Sequence, residues 1–216
     1  MPTQNSYFLI LAAPACAWVC GMGLFKTLLM MVLMHRYLPH GQFAGPLGEL
    51  FSQDWFFYGA CAIGTVEFLI DFVPWTDIQW QRWTGHLRII GAAILSWVIL
   101  SHEDVMSRII MVLVAIALSL TSYVATASAR RAAICGSTGA FVSPIASITE
   151  DCMIAATLAP LTQLPPMTLL MVAFMCMASL LIIYVVRPEA RDTFAWLFAG
   201  KWVQPHPRDT SGEHEA

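Results

Sequence analysis

Six long apolar runs, separated by short polar segments, are the feature that most constrains the fold of this chain. A helix needs about 20 predominantly apolar residues to cross a bilayer, and most of the runs are close to that length. Only 12% of the residues are charged and the mean hydropathy is +0.67, whereas a soluble domain has about 25% charged residues. The sequence therefore predicts an all-α, polytopic membrane helix bundle of about six spans. The runs cover residues 7–34, 55–73, 87–100, 105–129, 142–159 and 167–186.

Two of these runs depart from a simple span. The first contains Pro14, Gly21 and Gly23, which predict a kinked or partly re-entrant helix. The third, residues 87–100, is short and is either a tilted crossing helix or a buried half-helix. The preceding segment, residues 75–86, holds three tryptophans among polar residues. That composition is typical of a segment that lies at the membrane–water boundary.

The apolar runs predict one membrane domain, residues 1–200. Its halves, residues 1–100 and 101–187, hold three runs each. Residues 188–200 predict a short amphipathic helix on the membrane surface. Residues 201–216 have no apolar period and are expected to form a disordered cytoplasmic tail.

The basic residues indicate an orientation in the membrane. With six crossings and both termini inside, the outer side holds only Arg36 and Arg108. The positive-inside rule favours this arrangement, so we expect a multi-pass protein of the cell inner membrane with both termini cytoplasmic. The expected partner is the lipid bilayer, and the net charge of -3 argues against nucleic acid. The inner side would hold Arg82, Arg88, Arg130, Arg131, Arg187, Arg191, Lys201 and Arg208.

The two halves share a pattern of acidic residues. The second span of each half carries two acids, Glu67 with Asp71 and Glu150 with Asp151. Three spans per half would insert the halves in opposite directions, as in transporters built from inverted repeats. Side-chain identity between the halves is poor, so the alternative is that the similarity is not a duplication.

Acids within apolar runs require a physical explanation. An ionised carboxylate at the centre of a bilayer costs roughly 2.5–3.5 kcal/mol on insertion scales. Such a group needs a basic partner, a wet cavity or protonation. Glu67 and Asp71 are four residues apart and share a helix face. Glu150 and Asp151 are adjacent and point about 100° apart, so they cannot both face one cavity squarely.

Lys26 lies deep within a predicted span, whereas Arg88 and Arg108 lie at the starts of theirs, and we expect Lys26 to pair with a buried acid. The pair is either a structural contact that fixes helix register or part of a pathway for a cation, a proton or a small solute. If it is structural, replacing Glu150 by Gln should lower thermal stability, and replacing Lys26 as well should partly restore it.

Enzymatic and metal chemistry have little support. The sequence has no Ser-His-Asp spacing, phosphate-binding glycine loop or zinc-protease motif, although an intramembrane enzyme that uses paired acids remains a third interpretation. His102, Glu103 and Asp104 form a polar turn that is better explained by solvation than by a metal. None of the six cysteines forms a C-x-x-C pair, and they are expected to pack as small apolar residues. We expect no cofactor and no metal.

Several of these residues also form a pattern that resembles a known family. The pattern comprises Glu67-Phe68-x-x-Asp71-x-x-Pro74, Trp80, Arg88-Ile89-Ile90-Gly91, Arg131 and Ser147-x-x-Glu150-Asp151. It is similar to the bacterial membrane family called domain of unknown function 4126, over roughly residues 21–161. The resemblance implies a small polytopic membrane protein whose activity is not established. The motif residues of the family that the resemblance assigns to this chain are Glu67, Asp71, Arg131, Ser147, Glu150 and Asp151.

The chain also departs from the family pattern. The family has a histidine where Val124 stands and a lysine where Ala127 stands, and it has Ser-Pro-Glu-Pro at residues 137–140. If those groups carry the function of the family, this member has changed or lost it.

The predicted site is a buried acidic cluster. The leading interpretation is a transporter-like or channel-like protein that binds a cation, a proton or a small solute there. The alternative is a structural or accessory membrane protein in which the charges only fix helix packing. A second copy of the chain is a further candidate partner. The candidate site residues are Lys26, Glu67, Asp71, Arg131, Ser147, Glu150 and Asp151.

Overall fold

The computed structural model describes residues 3–38, 43, 45–134, 139–162 and 165–200. Within these residues the chain is all-α, with nine α-helices, one 3₁₀ turn and no strand. The predicted cytoplasmic tail lies outside the described residues. The helices are α1 (Thr3–Met22), α2 (Leu24–Tyr37), α3 (Pro46–Ser52), α4 (Asp54–Asp71), α5 (Pro74–Ile99), α6 (Val105–Ile134), α7 (Gly139–Leu158), α8 (Pro165–Val185) and α9 (Arg187–Ala199), and the 3₁₀ turn is Ala159–Thr162.

Helix α1 forms the centre of the bundle. All of its residues from Ala12 to Met22 are buried, and Trp18 is the largest fully buried side chain. The helix packs against α5, α6, α7 and α8. A helix that is apolar on every face is stable only when other elements surround it, which is the position that α1 occupies.

The first apolar run divides at Gly23, as its glycines predict. Gly23 has an extended backbone between α1 and α2. Helix α2 then packs against α4, and α1 continues to contact α5 and α6. The break places the end of α1 and the start of α2 next to the buried acids.

Helix α5 corrects the prediction for residues 75–100. We expected a boundary segment followed by a short apolar run, but one helix of 26 residues covers both. Its polar half bears a stripe of buried side chains at helical spacing that faces other helices. The stripe consists of Asp77, Gln81, Thr84 and Arg88.

The last helices frame the bundle. Helix α6 starts after Asp104, whose Oδ2 accepts a hydrogen bond of 2.9 Å from the backbone N–H of Ser107. Hydrogen bonds from Ser107 lower the pKa of this exposed carboxyl, the usual effect of stabilising the charged form. Helix α9 is amphipathic, as predicted, and its buried face includes Trp196 and Leu197. It packs against α6 and ends at Gly200, which has a positive φ of 64°.

Within the described residues, two helices are long and apolar enough to cross a membrane. They are residues Val105–Ala132 of α6 and Met167–Val185 of α8. Both expose much of their apolar surface, since only 33% and 17% of an 18-residue apolar window in each is buried. Helix α4 carries three charged residues, Asp54, Glu67 and Asp71, among its 18 residues.

Candidate functional site

Five helices bring charged side chains together in the interior of the bundle. We call this cluster the charge network. Its side chains are at most 10% exposed, except for Asp151, which is 30% exposed. Among the described residues, three basic groups in the network contact five carboxylates. The network consists of Lys26, Glu67, Asp71, Asp77, Arg88, Arg130, Ser147, Glu150 and Asp151.

Lys26 links three helices. Its Nζ lies 2.5 Å from Asp71 Oδ2 on α4 and 2.8 Å from Asp151 Oδ1 on α7. It also donates a hydrogen bond of 3.0 Å to Ser147 Oγ. The Ser147 hydroxyl in turn donates to Asp71 Oδ2 over 3.1 Å. The sequence-based expectation of an ion pair for Lys26 is therefore confirmed, and the amine has two carboxylate partners.

Arg130 is the second basic centre. Its Nε donates to Glu150 Oε1 over 2.9 Å and its Nη2 donates to Glu150 Oε2, a bidentate pair. Its Nη1 lies 2.6 Å from Asp77 Oδ2 on α5, and its Nη2 lies 3.7 Å from Asp71 Oδ2. Bidentate pairs between arginine and carboxylate are among the strongest polar contacts in proteins. Asp71 therefore joins the partners of Arg130 to those of Lys26.

The break between α1 and α2 is occupied by charged side chains. The backbone N–H of Lys26 donates to Glu67 Oε2 over 3.0 Å, and the carbonyl of Met22 accepts a hydrogen bond from Arg88 Nη1. Arg88 Nη2 also lies 3.1 Å from Glu67 Oε1, and Trp80 Nε1 donates to the same oxygen over 3.4 Å.

These contacts match the charges of the helix ends. The start of a helix carries a partial positive charge and its end a partial negative charge. Glu67 lies at the start of α2, whereas Arg88 lies at the end of α1. The Glu67–Arg88 pair thus satisfies backbone groups that a continuous helix would pair with each other.

Two clefts reach the network from opposite sides of α7. The first, here called the Lys26 cleft, has a volume of about 280 Å³, contains Lys26 and Asp151, and is walled mainly by apolar side chains of α2 and α4. The second has a volume of about 360 Å³ and borders Arg130 and Glu150. Glu150 and Asp151 thus face different clefts, as expected for adjacent helix residues.

Six of the seven predicted site residues lie in the network, and the described ion pair of the seventh, Arg131, lies outside it. Arg131 points towards α9, where its Nη2 lies 3.6 Å from Asp192 Oδ2. Its neighbour Arg130 supplies the guanidinium that pairs with the acids. Consecutive helix residues differ by about 100° in direction, so only one of the two can face α7. The bidentate partner of Glu150 is thus Arg130. The double substitution expected from the sequence combined Glu150 with Lys26, which is not its direct partner in the described contacts.

Sequence reasoning missed Asp77, Arg88 and Arg130 as site residues. Asp77 and Arg88 are eleven residues apart and occupy the same face of α5, together with Gln81, which donates to Asp77 Oδ1 over 3.0 Å. That spacing was a usable signal, but it becomes visible only when residues 74–99 are treated as one helix. The sequence gives no indication of whether Arg130 or Arg131 faces the acids of α7, because this depends on the rotation of α6 about its axis.

The network is suited to holding a proton or a small cation. Its carboxylates outnumber its basic groups, and basic side chains lie between them. In the part of the chain that the structure describes, no group of three or more His, Cys, Asp or Glu side chains has the arrangement of a metal site. A network of carboxylates and basic side chains can exchange a proton or pair with a cation.

The comparisons with known proteins give one match. A family model with the description "Domain of unknown function (DUF4126)" matches residues 10–187. No curated protein and no solved structure matches the chain. The matched residues include the whole charge network.

Proposed function

The chain belongs to the family of domain of unknown function 4126, and we propose that it is a multi-pass membrane protein that binds a proton or small cation at its charge network, as a transporter or channel does. The main observation that supports this proposal is the imbalance between acidic and basic groups in the network. Five carboxylates contact three basic groups, and all but Asp151 are at most 10% exposed.

The imbalance has a direct electrostatic consequence. A buried ionised carboxylate without a compensating positive charge is strongly disfavoured. With every group ionised, the eight charged side chains of the network would sum to an excess of two negative charges among themselves. Protonation of a carboxyl group or binding of a cation removes that excess. The site therefore favours uptake of positive charge, and its occupancy should depend on pH or on the concentration of the cation.

The broken helix supports the same proposal. Transporter sites are commonly built where a membrane helix is interrupted, because the interruption exposes backbone polar groups and helix ends to the bound species. Irregular backbone at membrane depth is tolerated only where protein or water satisfies its polar groups. The break at Gly23 meets this condition through Glu67 and Arg88.

We propose the same orientation as the basic residues predict, with both termini cytoplasmic. The described structure lowers the number of basic residues assigned to inner loops, because Arg88 and Arg130 lie in the charge network. Lys201 and Arg208 lie outside the described residues. The remaining inner residues still outnumber Arg36 and Arg108, so the positive-inside bias persists.

Two inverted halves are also part of the proposal. In each half the first span supplies a basic residue and the second span supplies its acid. Lys26 on α2 pairs with Asp71 on α4, and Arg130 on α6 pairs with Glu150 on α7. Each basic residue also contacts an acid from the other half, since Lys26 contacts Asp151 and Arg130 contacts Asp71. This reciprocal pairing is what a site between two related halves would contain.

A structural or accessory role is the second candidate. The bidentate contact between Arg130 and Glu150 and the three partners of Lys26 support it, because buried pairs can fix the register of helices. In this role the network would bind nothing, and its charges would serve only to select one packing of α2, α4, α6 and α7.

Cation flux across a reconstituted membrane tests the proposal. The protein is placed in liposomes that enclose dyes for H⁺, Na⁺ or K⁺, and a gradient of each cation is applied in turn. We expect faster flux of at least one cation than in empty liposomes. Asp151→Asn should abolish most of that flux, because the substitution removes the network carboxylate that is most exposed.

Asp54→Asn is the matched control, since Asp54 is 80% exposed and pairs only with Arg36 in the described contacts. It makes the same change of charge outside the network and should leave the flux intact. Accessibility gives a second measurement. In a background without native cysteines, Asp151→Cys should react with a polar thiol reagent. A folded protein with no flux and no reaction would establish the accessory role instead.

A further inference from the structure

The Lys26 cleft contains the one network carboxylate that is substantially exposed. Asp151 is 30% exposed, and it lines the cleft together with Lys26. The other walls are mainly apolar and include Leu29, Leu33 and Ile154. A molecule that enters this cleft therefore meets apolar side chains along its length and the Lys26–Asp151 ion pair at its end, and Asp151 is the more exposed member of that pair.

Lys26 can release Asp151 without becoming unpaired. Its Nζ keeps the 2.5 Å contact with Asp71 Oδ2 and the 3.0 Å hydrogen bond to Ser147 Oγ. An incoming positive group can thus take over Asp151 while Lys26 retains one carboxylate and one hydroxyl partner. A positively charged group can replace the Lys26 amine as the ion-pair partner of Asp151, which a neutral group cannot do.

An aromatic ring lies beside the contact between Lys26 and Asp151. Phe68 lines the cleft, and its ring centroid lies 5.8 Å from Lys26 Nζ. That distance is within the range at which a cation is attracted to a ring face. A ligand cation seated against Asp151 would be near the same ring, so charge and aromatic surface favour the same type of ligand.

We propose that the Lys26 cleft binds a lipophilic cation, an ammonium group attached to an alkyl chain. The ammonium group pairs with Asp151 beside Phe68, and the chain lies along Leu29, Leu33 and Ile154. This assignment rests on the proposed cation site and names its substrate class. The cleft volume of about 280 Å³ is near the lower limit of the roughly 300–1,000 Å³ of small-molecule sites, so the ligand is small.

An anionic amphiphile fits the cleft poorly. Its head group would lie against Asp151, and it would compete with Asp71 for Lys26 at a contact that is already 2.5 Å long. Like charges at that separation repel each other. The sign of the head group therefore distinguishes this site from a general groove for lipid tails.

Binding of n-octylammonium to the full chain in phosphatidylcholine nanodiscs tests the inference. Isothermal titration calorimetry, with empty nanodiscs as the blank, should show saturable binding. Octyl sulfate, which has the same chain and an anionic head, should show none. Asp151→Asn should weaken octylammonium binding at least about tenfold, since it removes the charged partner, and Asp54→Asn should leave it unchanged.

Two further variants keep the test decisive if Asp151→Asn does not fold. Thr65→Trp fills the cleft from α4 and leaves every network charge in place, so it should abolish saturable binding. Phe68→Leu should weaken binding about fivefold, the size of a partly exposed cation–π contact. Equal binding of octylammonium and octyl sulfate, or unchanged binding in folded Asp151→Asn or Thr65→Trp, would overturn the inference.

The outcomes separate this inference from the proposed function. Flux of H⁺, Na⁺ or K⁺ without octylammonium binding would refute only the inference that the cleft binds a lipophilic cation. Saturable octylammonium binding that depends on Asp151, without flux of any of the three cations, would refute only the proposal that the protein transports small cations.

Discussion

At the scale of single residues, the network owes its arrangement to the choice of partner for each charge. Arg130 contacts Glu150 through two nitrogens and Asp77 through a third. Lys26 contacts Asp71 and Asp151 instead. Removing one member of a buried pair leaves an uncompensated charge, which costs more than the pair itself contributes. The energetic effect of a substitution in the network should therefore depend on which partner remains.

A double-mutant cycle on Arg130 and Glu150 tests this pairing. Arg130→Met should lower the free energy of unfolding by about 3–5 kcal/mol, because Glu150 and Asp77 lose their shared base. Adding Glu150→Met should restore part of the loss, with a coupling energy on the order of 1–3 kcal/mol. Chemical unfolding in detergent, followed by tryptophan fluorescence, measures both quantities.

The pair of Arg36 and Asp54 is the control for that cycle. It has an N–O distance of 2.9 Å, but Asp54 is 80% exposed. Exposed pairs contribute about 0.2–1 kcal/mol. A coupling for Arg130 and Glu150 no larger than that of the exposed pair would contradict the bidentate contact.

At the scale of helices, close backbone approach holds the centre of the bundle together. A Cβ atom at Gly21 of α1 would clash with the carbonyl oxygen of Ser119 on α6. Small residues allow helices to approach in this way, which is common in membrane bundles. The contact also lies next to the break at Gly23, so the packing of α1 on α6 determines where the end of α1 meets Arg88.

Replacing Gly21 by alanine tests the role of this contact. The added methyl group would meet backbone, so α1 and α6 must separate, and we expect a loss of about 1–3 kcal/mol in the free energy of unfolding. The matched control is Gly59→Ala on α4, where nothing lies within 4 Å of the added Cβ. That control should be neutral or stabilising by up to about 1 kcal/mol.

Thermal unfolding of both variants in the same detergent gives the comparison. Equal stabilities for Gly21→Ala and Gly59→Ala would mean that α1 and α6 are not in close contact at Ser119.

At the scale of the whole molecule, apolar side chains cover much of the exterior, and charged side chains are buried in the interior beside the apolar core. Large apolar side chains are exposed along α6 and α8, such as Leu113, Phe174 and Leu181. Charged side chains such as Glu67 and Arg88 are buried. A lipid environment accommodates both features, because it solvates the exterior and leaves buried charges to pair with one another.

The proposed orientation makes a prediction about the two faces of the membrane. In a background without native cysteines, His102→Cys lies in the turn between α5 and α6, and Arg191→Cys lies on α9. A membrane-impermeant maleimide applied to intact spheroplasts should label the first and not the second, because six crossings with cytoplasmic termini place these positions on opposite sides.

Permeabilisation should then make Arg191→Cys reactive, which shows that the position is accessible from the inside. Labelling of Arg191→Cys before permeabilisation, with His102→Cys protected, would mean that the orientation is inverted. Labelling of both in intact spheroplasts would contradict the proposed number of crossings.

The sequence by itself determined the all-α class, the break near Gly23 and the presence of buried acids that need partners. These features depend on local properties: the length of an apolar run, the low helix propensity of glycine, and the cost of a carboxylate away from water. Five of the predicted site residues, Lys26 and the four acids, could be named for the same reason, since an acid or a lysine within an apolar run is recognisable without coordinates. Ser147 was implied only by the family resemblance.

Only the tertiary structure decided which charges meet. Lys26, Asp71 and Asp151 are far apart in the chain, and their contact depends on how α2, α4 and α7 pack. The choice of Arg130 over Arg131 depends on the rotation of α6 about its axis. Helix rotation and packing are set by the sum of many small contacts over the bundle, and no single run of residues encodes that sum.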